Sequence, residues 1–322
     1  MENHLLEYIK IKDFKCFKDF EAKGFKRVNL IGGKNNVGKT AFMEACYVNV
    51  YSNNIDNIFR SLASISLHRN IIEYARNEIS KRTKESEFEN TKKYFTSSNI
   101  NNIRFEIIYG KGIKSYEFKI NGDLLKVNVK QFSEGNSISK NNIRFIMNTT
   151  VPNILLINVF ISLQKKKKEK ELSVFLNNFD NNIEEFIVLG NTPSCKVKDI
   201  NDYRDINEFG DGLKHFIFII CSLYACEDGY LFIDEIDNGI HYTQLDRLWE
   251  IILTISKEQN VQVFATTHSK ECIDSYARVS KKLEDEDITY IKISKLKDGS
   301  LNAGVRDYEM IQYSIDDDHE VR

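Results

Sequence analysis

Prolines and long apolar runs are scarce in this sequence. Only two prolines occur in 322 residues, and no internal repeat or low-complexity tract marks a linker between domains. The longest apolar stretches, FIFIICSLYA and ILLINVFISL, fall well short of the roughly 20 residues that a membrane-spanning helix needs. The opening segment, MENHLLEYIK, has an acid before any apolar run, which is not typical of a signal peptide. We therefore expect a cytoplasmic protein that does not interact with a membrane.

A strong net charge and paired cysteines are missing as well. The formal net charge is −2, so no global field draws the protein towards nucleic acid, and such binding would need a local basic patch. The cysteines are scattered without a CxxC pair, mostly inside apolar segments: Cys16, Cys46, Cys195, Cys221, Cys226 and Cys272. A chain of this length can bury a large core without disulfides. We expect these cysteines to be reduced and buried.

Hydrophobic patterns in the first half predict both helices and strands. The segments YIKIKDF and RVNLIGG are typical of strands, and residues 41–51 are typical of a buried helix. A polar segment follows, in which residues 70–95 predict a long surface helix. Residues 103–129 alternate with a period of two and contain two hairpin signals, which predicts three antiparallel strands. Residues 131–150 are polar and predict a loop.

The second half predicts parallel strands linked by a helix. The segment VPNILLINVFISLQKKKKEKELSVFLNNF combines a buried segment, a basic run and helices. The strand-like segments GYLFIDE and VQVFATTH are separated by the helical YTQLDRLWEIILTISKEQ, as in a crossover connection between parallel strands. The segment ITYIKISKLKDGSLNAGV then predicts a final hairpin that turns at Asp298 and Gly299.

The segment VNLIGGKNNVGKTAFMEA contains a phosphate-binding motif between a predicted strand and a predicted helix. It matches GxxxxGK[ST] at every defined position. Glycines let backbone N–H groups converge on phosphate oxygens, and the helix N-terminus adds a favourable dipole. In such a loop the Lys39 ammonium bridges the β and γ phosphates and the Thr40 hydroxyl binds Mg²⁺. The residues predicted to bind nucleotide are Gly33, Lys34, Asn35, Asn36, Val37, Gly38, Lys39 and Thr40.

A pair of carboxylates follows a buried strand much later in the chain. The apolar residues of YLFI lead directly to Asp234 and Glu235. Two adjacent carboxylates can divide the roles of metal ligand and base, so Asp234 is expected to hold Mg²⁺ and Glu235 to polarise the attacking water. The next predicted strand ends in ATTHS, which places His268 at the same edge of a parallel sheet. A histidine there can donate a hydrogen bond to the γ phosphate, and the alternative is a strand-end histidine bonded to neighbouring backbone.

Together these segments resemble the ABC-type ATPases. The likeness is to the branch with the SMC proteins, the RecF repair protein and the ATPase half of the OLD (overcoming lysogenization defect) nucleases, and bacterial AAA family ATPases of the phage-defence type look most similar. The resemblance is carried by IKIKDFKCFKDFE, LIGGKNNVGKTAFMEA, FGDGLKHF, LFIDEIDNGIHYTQLDRLW and VFATTHSKECI. It implies an α/β P-loop NTPase fold of the ABC type, with a mixed sheet core, an antiparallel β subdomain and a helical insertion. The expected organisation is one composite domain over residues 1–322, with a Walker A half (1–50), an insertion (51–200), a signature, Walker B and switch-histidine half (201–310) and a tail (311–322).

The resemblance also assigns roles to residues. Residues 33–40 correspond to the Walker A loop, Asp234 and Glu235 to the Walker B pair, residues 237–241 to the D-loop, and His268 to the switch histidine. Lys39, Glu235 and His268 are then the expected catalytic residues. Lys15 is carried over only weakly, because Asp13 stands where relatives usually have asparagine. The Q-loop glutamine is not identified, since Gln131 and Gln164 both lie in poorly matched regions.

The segment FGDGLKHF lies where this class has its signature motif. That motif would contact the γ phosphate of ATP bound to a second subunit, which implies a head-to-tail homodimer with two ATP molecules at its interface. Gly210, Asp211 and Gly212 precede an apolar segment and can present backbone N–H groups to an anion. The usual motif has a serine and paired glycines, so Asp211 departs from the pattern. We expect its carboxylate to point away from the triphosphate and to cap the helix.

Three functions are consistent with these residues. The leading hypothesis is a Mg²⁺-dependent ATPase whose ATP-dependent dimer switches a separate effector, such as a nuclease or toxin, in defence against foreign DNA. The alternative is a RecF-like repair ATPase that clamps DNA, and the third is the energising subunit of a transporter, which the unusual signature disfavours. Contact with nucleic acid would use Lys165 to Lys168, although Glu169 and Glu171 follow at once.

Two parts of related proteins are not expected in this sequence. The segment between the two halves is too short for the coiled coils of SMC proteins and shows no sustained heptads. The segment after His268 is too short for the nuclease domain of OLD proteins. The acidic residues Asp316, Asp317, Asp318 and Glu320 are expected to form a solvated tail and not a metal site.

Overall fold

Two units, interleaved along the chain, make up the computed structural model. The structure describes residues 5–51, 61, 64–65, 102–109, 112–121, 124–131, 142–198 and 202–316. The first unit comprises residues 1–26, 33–140 and 291–305, and the second comprises residues 27–32, 141–290 and 306–322. The long surface helix predicted for residues 70–95 lies outside the described residues.

Strands and helices alternate irregularly along the chain. The described strands are β1 (Leu6–Phe14), β2 (Phe17–Lys23), β3 (Val28–Gly32), β4 (Asn102–Tyr109), β5 (Gly112–Asn121), β6 (Leu124–Gln131), β7 (Ile143–Ile146), β8 (Ile183–Leu189), β9 (Thr192–Val197), β10 (Tyr203–Asp205), β11 (Tyr230–Ile233), β12 (Gln262–Thr266), β13 (Ile288–Lys295) and β14 (Leu301–Arg306). The longer helices among the described residues are α1 (Lys39–Tyr51), α2 (Asn153–Lys165), α3 (Glu169–Phe179), α4 (Asp211–Ala225), α5 (Leu245–Glu258), α6 (Lys270–Leu283) and α7 (Tyr308–Asp316). No described helix is long and apolar enough to cross a membrane.

The first unit contains a five-stranded antiparallel sheet in the order β2-β1-β4-β5-β6. The strands β4, β5 and β6 confirm the three strands predicted from the period of two. Helix α1 begins inside the phosphate-binding motif and is buried along residues 41–50, as predicted. Its Phe42 packs edge-on against Phe20 and Phe25 at centroid distances of 5.6 and 6.1 Å. These aromatic contacts fix the helix that follows the motif.

The second unit is built on a parallel sheet in the order β7-β11-β12-β3, with the start of β13 next to β3. Every residue of β3, β11 and β12 is buried, which explains why these strands are mostly apolar and do not alternate. Helix α5 connects β11 to β12, confirming the predicted crossover. Because the three strands run parallel, their carboxyl ends lie at one edge of the sheet.

Strand β7 corrects the prediction of a loop for residues 131–150. The run IRFI pairs with β11 in parallel register, with Ile143 opposite Tyr230 and Ile146 opposite Ile233. A run of only four residues, set among polar ones, gives no periodic signal of its own. Its strand conformation comes from pairing with a neighbour distant in sequence.

Helices α2, α3 and α4 and the small sheet β8-β9-β10 complete the core of the second unit. Helix α4 is buried nearly all round, from Leu213 to Tyr224. Phe179 stacks on Phe216 at 4.3 Å, and Phe160 meets Phe186 edge-on at 4.9 Å. Helices α2 and α3 confirm the helices predicted around the basic run, whereas the three-stranded sheet had no clear signal in the sequence.

The cysteines are all free thiols, and all except Cys16 are buried. Burial raises the pKa of Cys195 and of Cys226 to about 12, so these thiols stay protonated. Cys16 is exposed at the turn between β1 and β2, contrary to the expectation of a buried residue.

Candidate nucleotide-binding site

The predicted phosphate loop follows β3 and belongs to the first unit. Gly33, Asn36 and Gly38 have φ angles of 144°, 60° and 100°, which is the left-handed side that glycine tolerates best. A Cβ on Gly38 would lie 2.6 Å from Cys16 Sγ, so this position also needs glycine for space. The Lys39 ammonium donates to the carbonyl oxygens of Gly33 at 2.9 Å and Lys34 at 3.1 Å. The backbone of the loop therefore surrounds the Lys39 ammonium.

Lys15 lies beside this loop within the first unit, where it forms an ion pair with the buried Glu44 of α1. Its ammonium also lies 5.5 Å from the centre of the Phe14 ring. Both Asp13 and Lys15 have left-handed backbone conformations, with φ of 53° and 52°. In this conformation Lys15 anchors the β1–β2 turn to α1.

The carboxylate pair lies at the end of β11 in the second unit, where Thr266 of β12 holds both members. The Thr266 hydroxyl donates to Asp234 Oδ1 at 2.7 Å and accepts from the backbone N–H of Glu235 at 2.8 Å. Asp234 is 9% exposed, whereas the Glu235 side chain is 36% exposed. Glu235 has φ 51°, a left-handed conformation that is uncommon for a residue with a side chain. The two neighbouring carboxylates thus have different environments.

His268 lies at the end of the adjacent strand. Its Nδ1 is 4.0 Å from Glu235 Oε1, and its side chain is half exposed. The end of β12 is fixed on one side by the Thr267 N–H, which donates to Ile31 O of β3 at 3.0 Å. On the other side the Thr267 hydroxyl donates to Asp237 Oδ1 at 2.8 Å. The structure thus brings together Asp234, Glu235 and His268.

Two polar residues at this edge of the parallel sheet were not predicted from the sequence. Thr266 is part of the quoted ATTH segment, so its strand-end position was a usable signal. Asn148 lies just past β7, and its side-chain amide donates to Glu235 Oε2 and accepts from the amide of Asn238. No signal in the sequence pointed to Asn148, because the surrounding segment was predicted to be a loop.

The signature segment lies in the second unit, at the start of α4. Gly210 is the N-cap residue with φ 82°, and no side chain caps the helix. This corrects the prediction that Asp211 caps the helix: Asp211 is exposed and is already the first helical residue. The first turn of α4 lines an open cleft of about 830 Å³ together with residues 178–182, 239, 241, 243 and 244.

Gly212 and Gly239 approach each other closely beside this cleft. A Cβ on Gly212 would lie 2.0 Å from Gly239 O, and Gly239 itself has φ 71°. Only glycine at position 212 lets the first turn of α4 pack against the backbone of the loop formed by residues 237–241, the D-loop.

The basic run Lys165 to Lys168 is partly engaged in ion pairs. Lys166 Nζ lies 2.6 Å from Glu227 Oε2, and Lys168 Nζ lies 2.6 Å from Glu171 Oε2. The hydrogen bond to Glu171 raises the pKa of Lys168. These contacts favour a solvated, internally neutralised surface over a nucleic-acid site.

The glutamines considered for the Q-loop and the acidic tail are the remaining positions singled out in the sequence. Gln131 is the last residue of β6 and Gln164 lies in the last turn of α2. Asp316 ends α7, and residues 317–320 lie outside the described part of the chain. Among the described residues, no group of three or more His, Cys, Asp or Glu side chains could hold a metal ion.

Known proteins resemble this chain over most of its length. Residues 28–274 match the family described as "AAA domain, putative AbiEii toxin, Type IV TA system". An ATP/GTP phosphatase of Helicobacter pylori is 26% identical over 329 residues, which cover 86% of this chain and 89% of that protein. An uncharacterised protein of Methanocaldococcus jannaschii is 37% identical over 65 residues, which cover 20% of this chain and 57% of that protein.

Several solved SMC head structures share the fold. An SMC head bound to the C-winged helix domain of ScpA has a TM-score of 0.58 at 13% identity and covers 94% of this chain and 98% of its own. The SMC head of Thermotoga maritima has a TM-score of 0.52 at 14% identity, with coverages of 93% and 98%. An SMC head with an extended coiled coil, bound to the C-terminal domain of ScpA from Pyrococcus furiosus, has a TM-score of 0.55 at 12% identity, with coverages of 98% and 99%. The chain therefore has the mixed α/β P-loop NTPase fold of SMC heads, as predicted.

Proposed function

Because the chain belongs to the AAA domain family that its residues 28–274 match, we propose that it is a Mg²⁺-dependent ATPase. The observation that carries the proposal is the convergence of Asp234, Glu235 and His268 at the ends of β11 and β12. The neighbouring parallel strand β3 leads directly into the GxxxxGKT motif. The name of the H. pylori relative, an ATP/GTP phosphatase, supports nucleotide hydrolysis.

The phosphate loop supplies binding. The Lys39 ammonium now contacts two loop carbonyls, which a triphosphate would replace with stronger, charge-assisted hydrogen bonds. Thr40 and Asp234 offer a hydroxyl and a carboxylate oxygen, which fit Mg²⁺, since this ion is usually held by few side chains together with substrate phosphates. Bound Mg²⁺ would neutralise charge on the β and γ phosphates.

Glu235 is the proposed base, because its environment differs from that of Asp234. Asp234 is buried and accepts a hydrogen bond from Thr266, which suits a fixed ligand. Glu235 is partly exposed, so its carboxylate can reach water and accept a proton from it. His268, whose Nδ1 lies 4.0 Å from Glu235 Oε1, would donate a hydrogen bond to the γ phosphate. Lys39 and His268 would together stabilise charge on the transferred phosphoryl group.

Replacing Glu235 with Gln tests this assignment. Glutamine keeps the size of the side chain and can still accept from Asn148, but it cannot accept a proton. We expect the turnover of ATP to fall by roughly 100-fold or more, with nucleotide affinity unchanged. Steady-state phosphate release and equilibrium nucleotide titration measure the two quantities.

Two further variants serve as controls. Lys39→Ala should lose nucleotide binding. Glu250→Gln, which affects the ion pairs of Glu250 with Lys282 and Arg247 on α5 and α6, should match the wild type. Unchanged turnover in Glu235→Gln would remove Glu235 from its role as base.

The proposal extends to a dimer that switches a separate effector. The cleft beside Gly210, Asp211 and Gly212 supports a second copy as the partner, with the first turn of α4 directed to the nucleotide of the other subunit. The family description names a toxin of a toxin–antitoxin system, which supports a role in defence and an effector such as a nuclease or toxin.

A further inference from the structure

Asn148 forms hydrogen bonds with two loops of the candidate site at once. Its amide N–H₂ donates to Glu235 Oε2, and its amide oxygen accepts from the N–H₂ of Asn238. An amide is suited to this position because it carries a donor and an acceptor on one planar group. Aspartate offers no donor for Glu235, and alanine offers neither.

The position of Asn148 relative to Glu235 is set by backbone pairing. Strand β7 ends at Ile146, whose carbonyl oxygen accepts from the Asp234 N–H at 2.8 Å. A tight turn follows, in which the Thr149 N–H donates to Met147 O at 2.8 Å. The backbone near Asn148 is therefore hydrogen-bonded to Asp234, the residue that precedes Glu235. This backbone contact, and not the side-chain rotamers alone, holds Asn148 close to the Glu235 carboxylate.

The other end of this contact leads to α4. Asn238 lies in the D-loop, and its N–H donates to Glu235 O at 2.9 Å. The next residue, Gly239, packs against Gly212 in the first turn of α4, where even one Cβ would be too close. A displacement of the first turn of α4 would therefore move Gly239 and Asn238, and through Asn148 the Glu235 carboxylate.

We propose that Asn148 is a positioning residue that orients the Glu235 carboxylate and makes this orientation depend on the D-loop. The inference rests on the proposed function, since it concerns the base of that reaction. The side chain of Glu235 is partly exposed and would otherwise sample several rotamers. Asn148 thus connects the surface of Gly210, Asp211 and Gly212, where a second copy would bind, to the hydrolytic carboxylate.

The test compares substitutions at both ends of β7. In Asn148→Ala we expect kcat to fall about 10- to 100-fold, because a small misplacement of a catalytic group is costly, while KM for ATP stays unchanged. Asn142→Ala is the matched control: Asn142 lies just before β7, and its amide donates to Glu227 O, away from Glu235. Its kcat should equal that of the wild type.

Two further variants separate positioning from general support of the fold. Asn148→Asp keeps the size but places a second carboxylate beside Glu235, so the acidic limb of the pH–rate profile should move to higher pH. Asn238→Ala should lower kcat as well, and the Asn148→Ala/Asn238→Ala double variant should lose no more than Asn148→Ala, because both residues act in one path.

The outcomes distinguish this inference from the proposed function. If Glu235→Gln is inactive while Asn148→Ala and Asn148→Asp keep the wild-type kcat and pH profile, the positioning role is wrong and the ATPase assignment stands. If the losses in kcat of Asn148→Ala and Asn238→Ala add up in the double variant, the proposed dependence of the Glu235 orientation on the D-loop is wrong. If Glu235→Gln hydrolyses ATP normally, both assignments fail. Thermal unfolding of each variant shows whether the measured protein is folded.

Discussion

His215 shows how one buried side chain can make stability depend on pH. It lies in α4, is 5% exposed, and bonds to the backbone of Ile236, directly after Glu235. Its Nε2 has no hydrogen-bond partner in the part of the chain that the structure describes. Burial lowers its pKa from 6.5 to about 4. The folded protein therefore holds this histidine neutral where the unfolded chain would protonate it.

The sign of the pH effect follows from this difference. Between pH 6.5 and 4 the unfolded state binds a proton at position 215 that the folded state does not bind, so the free energy of unfolding decreases as the pH falls. The loss from this group reaches about 3 kcal/mol at pH 4. In His215→Asn, which cannot titrate, the decrease should be smaller by about that amount.

Urea unfolding of both proteins at pH 7.5 and 4 measures the difference. The carboxyl groups titrate in both proteins and cancel in the comparison. Equal pH dependence in wild type and variant would contradict a buried, neutral His215.

The contact between α4 and the D-loop can be tested separately from any charged group. In Gly212→Ala the new Cβ would lie 2.0 Å from Gly239 O, so the D-loop must shift. Alanine also favours a helix over glycine by about 1 kcal/mol, which offsets part of the strain. We expect a clear fall in the steady-state turnover of ATP, only a small change in thermal stability and no change in nucleotide affinity.

Gly304→Ala provides the control for this substitution. A Cβ at this position in β14 meets Lys292 O only at 3.8 Å, an ordinary contact. Steady-state turnover and thermal unfolding of both variants give the comparison, and wild-type turnover in Gly212→Ala would show that the D-loop geometry does not matter for hydrolysis.

Local motifs made the candidate site predictable, and long-range pairing made the rest unpredictable. A short, mostly apolar run precedes the GxxxxGKT loop, the Asp234–Glu235 pair and His268. Their positions at strand ends could therefore be predicted from the neighbouring residues in the sequence. Strand β7 could not, because IRFI becomes a strand only by pairing with β11. Asn148 depends on that strand and was missed with it. The single composite domain stays a prediction.

Assembly is the property of the whole protein that the proposal predicts most sharply. Glu235→Gln should bind ATP without consuming it, so the head-to-tail dimer should accumulate. In analytical ultracentrifugation with ATP and Mg²⁺, we expect this variant to sediment as a dimer, and with ADP as a monomer. The Lys39→Ala/Glu235→Gln double variant should stay monomeric under both conditions. A Glu235→Gln protein that binds ATP and remains monomeric would contradict the proposed dimer.

The interleaving of the second unit has a consequence for biosynthesis. Strand β3 is translated long before the strands on either side of it, because β12 and β13 begin only at residues 262 and 288. Until then β3, which is mostly apolar, lacks both neighbouring strands, a condition that favours the aggregation of nascent chains. The parallel sheet therefore closes only after β12 and β13 have been translated, and chains truncated before residue 262 cannot form it.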